Sequence, residues 1–340
     1  MARSDLVRSL LASWASGNES AFLMAANAIV DDERKKGHRL LAREFEDVLS
    51  DPRRPGARDA LSLRPVPKGR DERPLLTLMK ARWSFADLVH APAVQAALDD
   101  LVAENERRGL LVTHALRPRQ RLLLVGSSGT GKTATAHAIA AQLSLPVAAA
   151  NLAALTSSYL GETARNIQSV VRFAESTPCV LVLDEFDALA SERATPGDHG
   201  ELRRVVATVL QVMDDVRGES LVVATSNHPQ MLDSAVWRRF DDVIRLRNPD
   251  ARAMRQLVAL KLNGMLGPLD VSAWARRLKG ASPADVELIS TDALRHAVLD
   301  GAPFVTDEYL TFALARLRAR RAAVRGATSS AAAGEEPAEE

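Results

Sequence analysis

The sequence predicts an α/β fold: a parallel sheet flanked by helices, preceded by a small helical unit and followed by an all-α domain. Three observations predict it. From about residue 80 to 249, short runs that are apolar throughout alternate with longer helical patterns, as expected for strands buried on both faces. Beyond Pro249 every pattern has the helical period, through about Arg321. Before residue 50, three short apolar stripes recur at helical spacing.

In chain order, residues 1–50 read as a helical docking unit. Leu6, Leu10, Leu11 and Trp14 share one face, Phe22, Ala26 and Ile29 a second, and Leu41, Phe45, Val48 and Leu49 a third. Three short helices bury little alone, so the unit is expected to dock on something. Residues 51–79 read as a linker, because Asp51–Pro74 holds five prolines, two glycines and many arginines. The sheet follows in residues 80–249. Its strands are expected at RLLLV (121–125), PVAAA (146–150), CVLVLDE (179–185), SLVVATSN (220–227) and DVIRL (242–246). Helices are expected after the first strand to Leu143, at 163–176 and at 200–216, where Leu202, Val205, Val206, Val209, Leu210, Met213 and Val216 form one stripe. Residues 250–325 read as the α-helical domain. The tail 326–340 is small and acidic with nothing to bury, and is expected to be disordered. There is no internal repeat.

Composition excludes several classes of function. The 340 residues carry 44 basic and 43 acidic side chains, a net charge of +1, which disfavours a protein holding nucleic acid by bulk charge. The lone Cys179 rules out a disulfide framework and a cysteine-built zinc site, and fits a reducing, cytoplasmic location. No apolar run approaches the ~20 residues of a membrane span, and no signal-peptide core follows Met1. Lysines number only seven and tyrosines two, so each position is informative.

Gly126-Ser127-Ser128-Gly129-Thr130-Gly131-Lys132-Thr133 matches G-x-x-x-x-G-K-[ST] directly after an apolar strand and at the opening of a helix. Glycines let backbone N–H groups wrap closely around phosphate, and the helix N-terminus adds positive potential. Lys132 reaches the β- and γ-phosphates of ATP, and the Thr133 hydroxyl ligates Mg²⁺. Leu181–Glu185 ends another strand with two adjacent carboxylates. Strand carboxyl ends are where open parallel sheets bind ligands, so Asp184 is expected in the Mg²⁺ shell, through water, and Glu185 as the group that polarises the attacking water.

With these motifs in order, the chain resembles an AAA+ ATPase, more narrowly the AAA clade of protein-remodelling ATPases, over about residues 80–325. The resemblance implies a P-loop NTPase sheet with a helical lid, and stand-alone bacterial members of this build often act with a separately encoded partner, sometimes a protease. It makes Asn227, in Ala224-Thr225-Ser226-Asn227, the sensor-1 residue that positions the lytic water. Leu232–Asp241 resembles the second region of homology, so Arg238 and Arg239 are expected to project into a neighbouring subunit's nucleotide. An arginine supplied in trans neutralises charge on the γ-phosphoryl, and comparable fingers are worth ~10³–10⁵ in rate. The resemblance thus implies a homo-oligomeric ring, hexameric in this clade. Ser157–Thr163 occupies the position of the aromatic–hydrophobic–glycine pore loop, so Tyr159, Leu160 and Gly161 are expected to grip an extended polypeptide. Residues 190–200 would form a second pore loop.

In the lid, Gly280–Asp285 resembles the glycine-rich helix start near adenine, with Pro283 replacing the second glycine. A proline suits a first helical turn but removes an N–H. No sensor-2 arginine is visible. Trp83–Val89 resembles the segment packing near the base, of which Asp87–Val89 carry over. His199 and His228 read as polar loop residues, with His228 next to the nucleotide site. Two other classes compete with protein remodelling: a nucleic-acid-handling loader or helicase, and an ATP-gated adaptor that threads nothing. Tyr159-Leu160-Gly161 and the paired arginines favour the remodeler.

Overall fold

A computed structural model describes residues 4–15, 19–36, 66–155, 160–187, 218–232 and 234–333. The expected third N-terminal stripe, the helix at 200–216, the loop 190–200, His199 and Tyr159 lie outside these residues. The six strands are β1 (Leu76–Met79), β2 (Arg121–Val125), β3 (Val147–Ala150), β4 (Val180–Leu183), β5 (Leu221–Ser226) and β6 (Asp242–Arg245). They form one sheet in the order β1-β3-β4-β5-β2-β6. β3–β4 and β2–β6 are parallel pairs, with Leu122 opposite Asp242 in the second. Every residue of β4 and β5 is buried, as expected of strands covered on both faces.

The chain divides into two compact units that part within β5. The first holds α1 (Ser4–Ala15), α2 (Glu19–Lys35), β1, β3, α6 (Leu152–Leu155), α7 (Leu160–Ser176), β4 and the start of β5. α1 and α2 pack on one another, burying Ala25, Ala26 and Val30. Leu11, expected on the buried face, is 59% exposed. β1 falls in the stretch read as linker and pairs antiparallel with β3, Leu76 opposite Ala150. Four residues among prolines and arginines carry too little pattern to announce a strand. α7 buries Ile167, Val170, Val171 and Ala174 at helical spacing. It starts at Leu160, so Leu160 and Gly161 belong to a helix rather than to the expected loop. Glu162 in that first turn suits the positive helix end and accepts from Arg70 at 3.0 Å.

The second unit holds α3 (Pro92–Glu106), α4 (Arg108–Thr113), β2, the start of α5 (Lys132–Gln142), the end of β5, α8 (Ser234–Trp237) and β6. Its C-terminal helices are α9 (Ala251–Lys261), α10 (Val271–Arg277), α11 (Pro283–Leu299) and α12 (Asp307–Ala333). Arg119 ties α3 to β6, donating to Glu104 at 2.8 Å and to Asp242 at 2.6 Å. The C-terminal helices close on Met254, Leu257, Trp274, Val286, Ile289 and Leu310. Trp274 is fully buried, its Nε1 donating to Asp307 at 2.7 Å, with the Arg277 guanidinium 3.9 Å above its ring. Asp250, Asp270 and Ser282 cap the starts of α9, α10 and α11. α12 continues to Ala333, into the segment read as disordered, because its alanines favour helix where composition alone shows only small and polar residues.

Candidate functional site

The phosphate loop lies in the second unit between β2 and α5. Gly126 N–H donates to Ser226 O at 3.2 Å, which sets the loop's first residue against the end of β5. A Cβ at Gly126 would stand 2.3 Å from Leu246 O, so only glycine fits. Gly129 and Gly131 have φ of +79° and +93°, a region open to glycine at no steric cost. These conformations turn the chain into α5, whose first N–H groups lack helical acceptors. Thr130 braces the turn by donating its hydroxyl to Ser127 O at 2.8 Å.

Lys132 is buried, and its ammonium donates to Gly126 O at 2.9 Å, Ser127 O at 3.0 Å and Asn227 Oδ1 at 2.7 Å. Three acceptors match the three N–H groups of an ammonium. The structure therefore brings two sequence-predicted residues, Lys132 and Asn227, into direct contact. A buried cation beside oxygens, a glycine cradle with no room for a Cβ at Gly126 or Gly129, and a helix N-terminus together fit a polyphosphate.

Glu185 follows β4 with φ +53°, a costly conformation for a residue other than glycine. Its N–H donates to Thr225 Oγ1 at 3.0 Å, and Thr225 is buried. Asp187, also buried, accepts from the Asn227 N–H at 3.2 Å through Oδ1 and from the His228 N–H at 3.1 Å through Oδ2. Each segment thus supplies a side chain that holds the other's backbone. Sequence reasoning missed Thr225 and Asp187. The available signal was an acidic residue three places after Asp184, inside a run that is otherwise apolar.

Two further elements touch the loop. Ala284 N–H, at the start of α11, donates to Gly129 O at 3.1 Å, and a Cβ at Gly129 would meet Ser282 Oγ at 2.8 Å. Pro283 occupies the first turn, where its missing N–H costs nothing, and the next N–H makes the contact. Ser282 and Asp285 form a capping box, and Arg321 of α12 donates to Asp285 at 2.5 Å. Burial raises the Asp285 pKa, but its bonds from Ser282 and Arg321 outweigh this and hold it below the usual value. On the other side, Thr135 donates its hydroxyl to Gly131 O at 2.9 Å, leaving Oγ1 to accept from His90 Nε2 at 3.2 Å. His90 Nδ1 is then a bare acceptor, and it is buried without a partner. Burial, opposed weakly by Asp99, pushes the His90 pKa down. Just before it, Asp87 caps a short turn through Ser84, and Val89 packs on the helical core that follows residue 250.

Arg238 and Arg239 are exposed at the turn between α8 and β6. Asp184 directly follows β4 and belongs to the first unit, as do Leu160 and Gly161. Among the described residues, no group of three or more His, Cys, Asp or Glu gathers as a metal site, and no helix is long and apolar enough to cross a membrane.

The model of the ATPase family associated with various cellular activities (AAA) matches residues 122–248, from β2 through β6. An uncharacterized AAA family ATPase of Sinorhizobium fredii is 36% identical over 325 residues, 95% of this chain and 97% of its own. This chain belongs to the AAA family of ATPases. It is accordingly a nucleotide-binding ATPase, and the cradle around Lys132 is where the family's match and the phosphate-binding chemistry coincide. Proteasome-activating nucleotidase of Thermococcus gammatolerans is 29% identical over 310 residues, 85% of this AAA chain and 78% of its own. Spastin of Drosophila mojavensis is 31% identical over 222 residues, which span 63% of this chain and 29% of spastin.

Proposed function

We propose that copies of this ATPase assemble into a ring, hexameric by family resemblance, and couple ATP hydrolysis to remodelling, unfolding or disassembly of a protein client. A separately encoded partner, such as a protease, acts with it. The observation that carries this reading is the extent of the likeness to proteasome-activating nucleotidase, 78% of whose length this chain matches. The likeness runs well beyond the nucleotide domain.

In this reading Gly126–Thr133 wraps the triphosphate, and Lys132 exchanges its oxygen partners for the β- and γ-phosphates. Thr133 and Asp184 are the residues that would hold Mg²⁺. The ion, when bound, neutralises charge on the phosphate oxygens. Glu185 polarises the attacking water, and Asn227 orients it near the γ-phosphoryl. Arg238 and Arg239 act in the neighbouring copy's site, consistent with their exposure. Tyr159, Leu160 and Gly161 grip the client by apolar area and backbone contact, which suits a sequence-tolerant hold. The N-terminal helices dock the client or partner. The balanced charge supports a polypeptide rather than nucleic acid, and the buried thiol of Cys179 fits the cytoplasm.

The test is a Glu185→Gln trap. Loaded with ATP, it should hold the ring together and retain a defined polypeptide client. Tyr159→Ala should keep its ATPase activity and lose action on that client. ATPase activity stimulated by saturating single-stranded DNA in a salt-sensitive manner, with no client retained, would overturn the reading in favour of a nucleic-acid loader.

A further inference from the structure

We infer that Asp187 is a positioning residue for hydrolysis, acting through the backbone of Asn227 and His228 to fix the Asn227 amide in the catalytic site. The carboxylate is 4% exposed. Its two oxygens are divided between two successive N–H groups, Asn227 at 3.2 Å and His228 at 3.1 Å. Those N–H groups follow directly on β5, where the ladder ends, so the side chain supplies the acceptors that a strand neighbour no longer does. Two bonds to consecutive N–H groups fix the two peptide planes that meet at the Asn227 Cα. Those planes determine where the Asn227 side chain leaves the chain, and its Oδ1 reaches the Lys132 ammonium at 2.7 Å. Asp187 therefore sits one covalent step behind the amide that faces the phosphate loop.

Thr225 makes the arrangement reciprocal. It holds the N–H of Glu185 at 3.0 Å, so the residues after β4 and those at the end of β5 are laced in both directions. Glu185 and Asn227 must meet one water from two different strands, and a rigid join between them keeps that geometry from loosening. Asp187 touches no reacting atom, and the inference rests on the proposed role of Asn227 at the γ-phosphoryl.

Asp187→Asn is nearly isosteric. Its single amide oxygen accepts from one of the two N–H groups, while the NH₂ opposes the other. Loss of one such bond should lower kcat by at least about fivefold in the full-length protein. The KM for ATP and the Kd for ADP should stay within about twofold, because Lys132 and the glycines are untouched. The deciding readout is a double-mutant cycle with Asn227→Ala. If Asp187 acts through Asn227, Asp187→Asn has no further effect on kcat once that amide is gone. An equal loss in both backgrounds, or no loss in either, overturns the role of Asp187. An unchanged kcat for Asn227→Ala alone overturns the Asn227 assignment instead. If Asp187→Asn does not fold, hydrogen exchange on the wild-type chain decides. The amides of Asn227 and His228 should be protected, and exchange at the rate of free peptide overturns the inference.

Discussion

Lys132 Nζ lies 2.7 Å from Asn227 Oδ1, and it also donates to the phosphate-loop carbonyls of Gly126 and Ser127 at 2.9 and 3.0 Å. The lysine cannot take phosphate oxygens without giving up some of these. Asn227 is thus a competitor for Lys132 in this arrangement and a helper of hydrolysis in the proposed one. Asn227→Ala should bind ATP at least as tightly as the wild type. Its kcat should fall by about 10–100-fold, the size of one hydrogen bond involving a charged group. Equilibrium binding of a fluorescent ATP analogue and steady-state turnover check the two halves separately.

Gly126 faces a different constraint. A methyl group there would overlap the Leu246 carbonyl at 2.3 Å, and backbone cannot swing aside as a side chain does. Gly126→Ala should therefore push β2 and the segment after β6 apart and cost about 1–3 kcal/mol or more. Thermal unfolding should show a lowered midpoint together with weakened ADP binding. A variant with unchanged stability and binding would contradict the close approach.

Thr225→Val keeps the shape of a buried side chain and removes the acceptor for the Glu185 N–H. Glu185 holds an unfavourable φ of +53°, so that bond helps pay for its conformation. The expected result is a kcat lowered about 5- to 10-fold with ATP binding unchanged. Measured turnover and nucleotide affinity suffice to check it.

His90 gives a pH signature in stability. Its folded pKa lies below the ordinary 6.5, because burial disfavours the imidazolium, with Asp99 pulling weakly the other way. The unfolded chain therefore takes up a proton first as pH falls. The stability His90 contributes is full above about pH 6.5 and is lost as pH falls toward its folded pKa, by at most about 1.4 kcal/mol per pH unit. His90→Gln retains a side-chain donor for Thr135 and cannot titrate. Denaturant midpoints for the two proteins between pH 7.5 and pH 5 should converge on acidification, within windows of roughly one unit.

Legibility in the sequence followed how local each signal was. β2, β4 and β5 were readable because strands buried on both faces carry runs of four apolar residues, Leu122–Val125, Val180–Leu183 and Leu221–Ala224, that nothing polar interrupts. The phosphate loop was readable because all its parts are adjacent in the chain. β1 was not, since an edge strand of four residues takes its identity from β3 rather than from its own pattern. Asp187 and Thr225 were missed for a related reason. Their work is done on peptide groups forty residues away, at Asn227 and Glu185, and nothing in a linear motif records that pairing. The α7 start at Leu160 was missed because a glycine at 161 reads as loop, while the rest of that helix carries the apolar stripe that holds it.

Arg238 and Arg239 support the last prediction. They stand exposed on the turn after α8, beside Phe240, which is buried against Phe186 with ring centroids 6.3 Å apart. The turn is therefore anchored while its cations face outward. Outward cations on an anchored turn suit delivery to another molecule's nucleotide, because the donor does not have to find its position at each turnover. If the arginines act in trans as proposed, an isolated protomer lacks part of its own active site. Specific ATPase activity should rise with protein concentration and track the appearance of oligomer in sedimentation. Arg239→Ala or Arg238→Ala should lose about 10³-fold or more in kcat while binding ATP normally. Mixing either variant with Glu185→Gln should restore activity only at interfaces where the arginine variant's intact Glu185 meets an intact arginine from a Glu185→Gln neighbour. Full activity in a demonstrated monomer, independent of concentration, would mean that the arginines serve no neighbour.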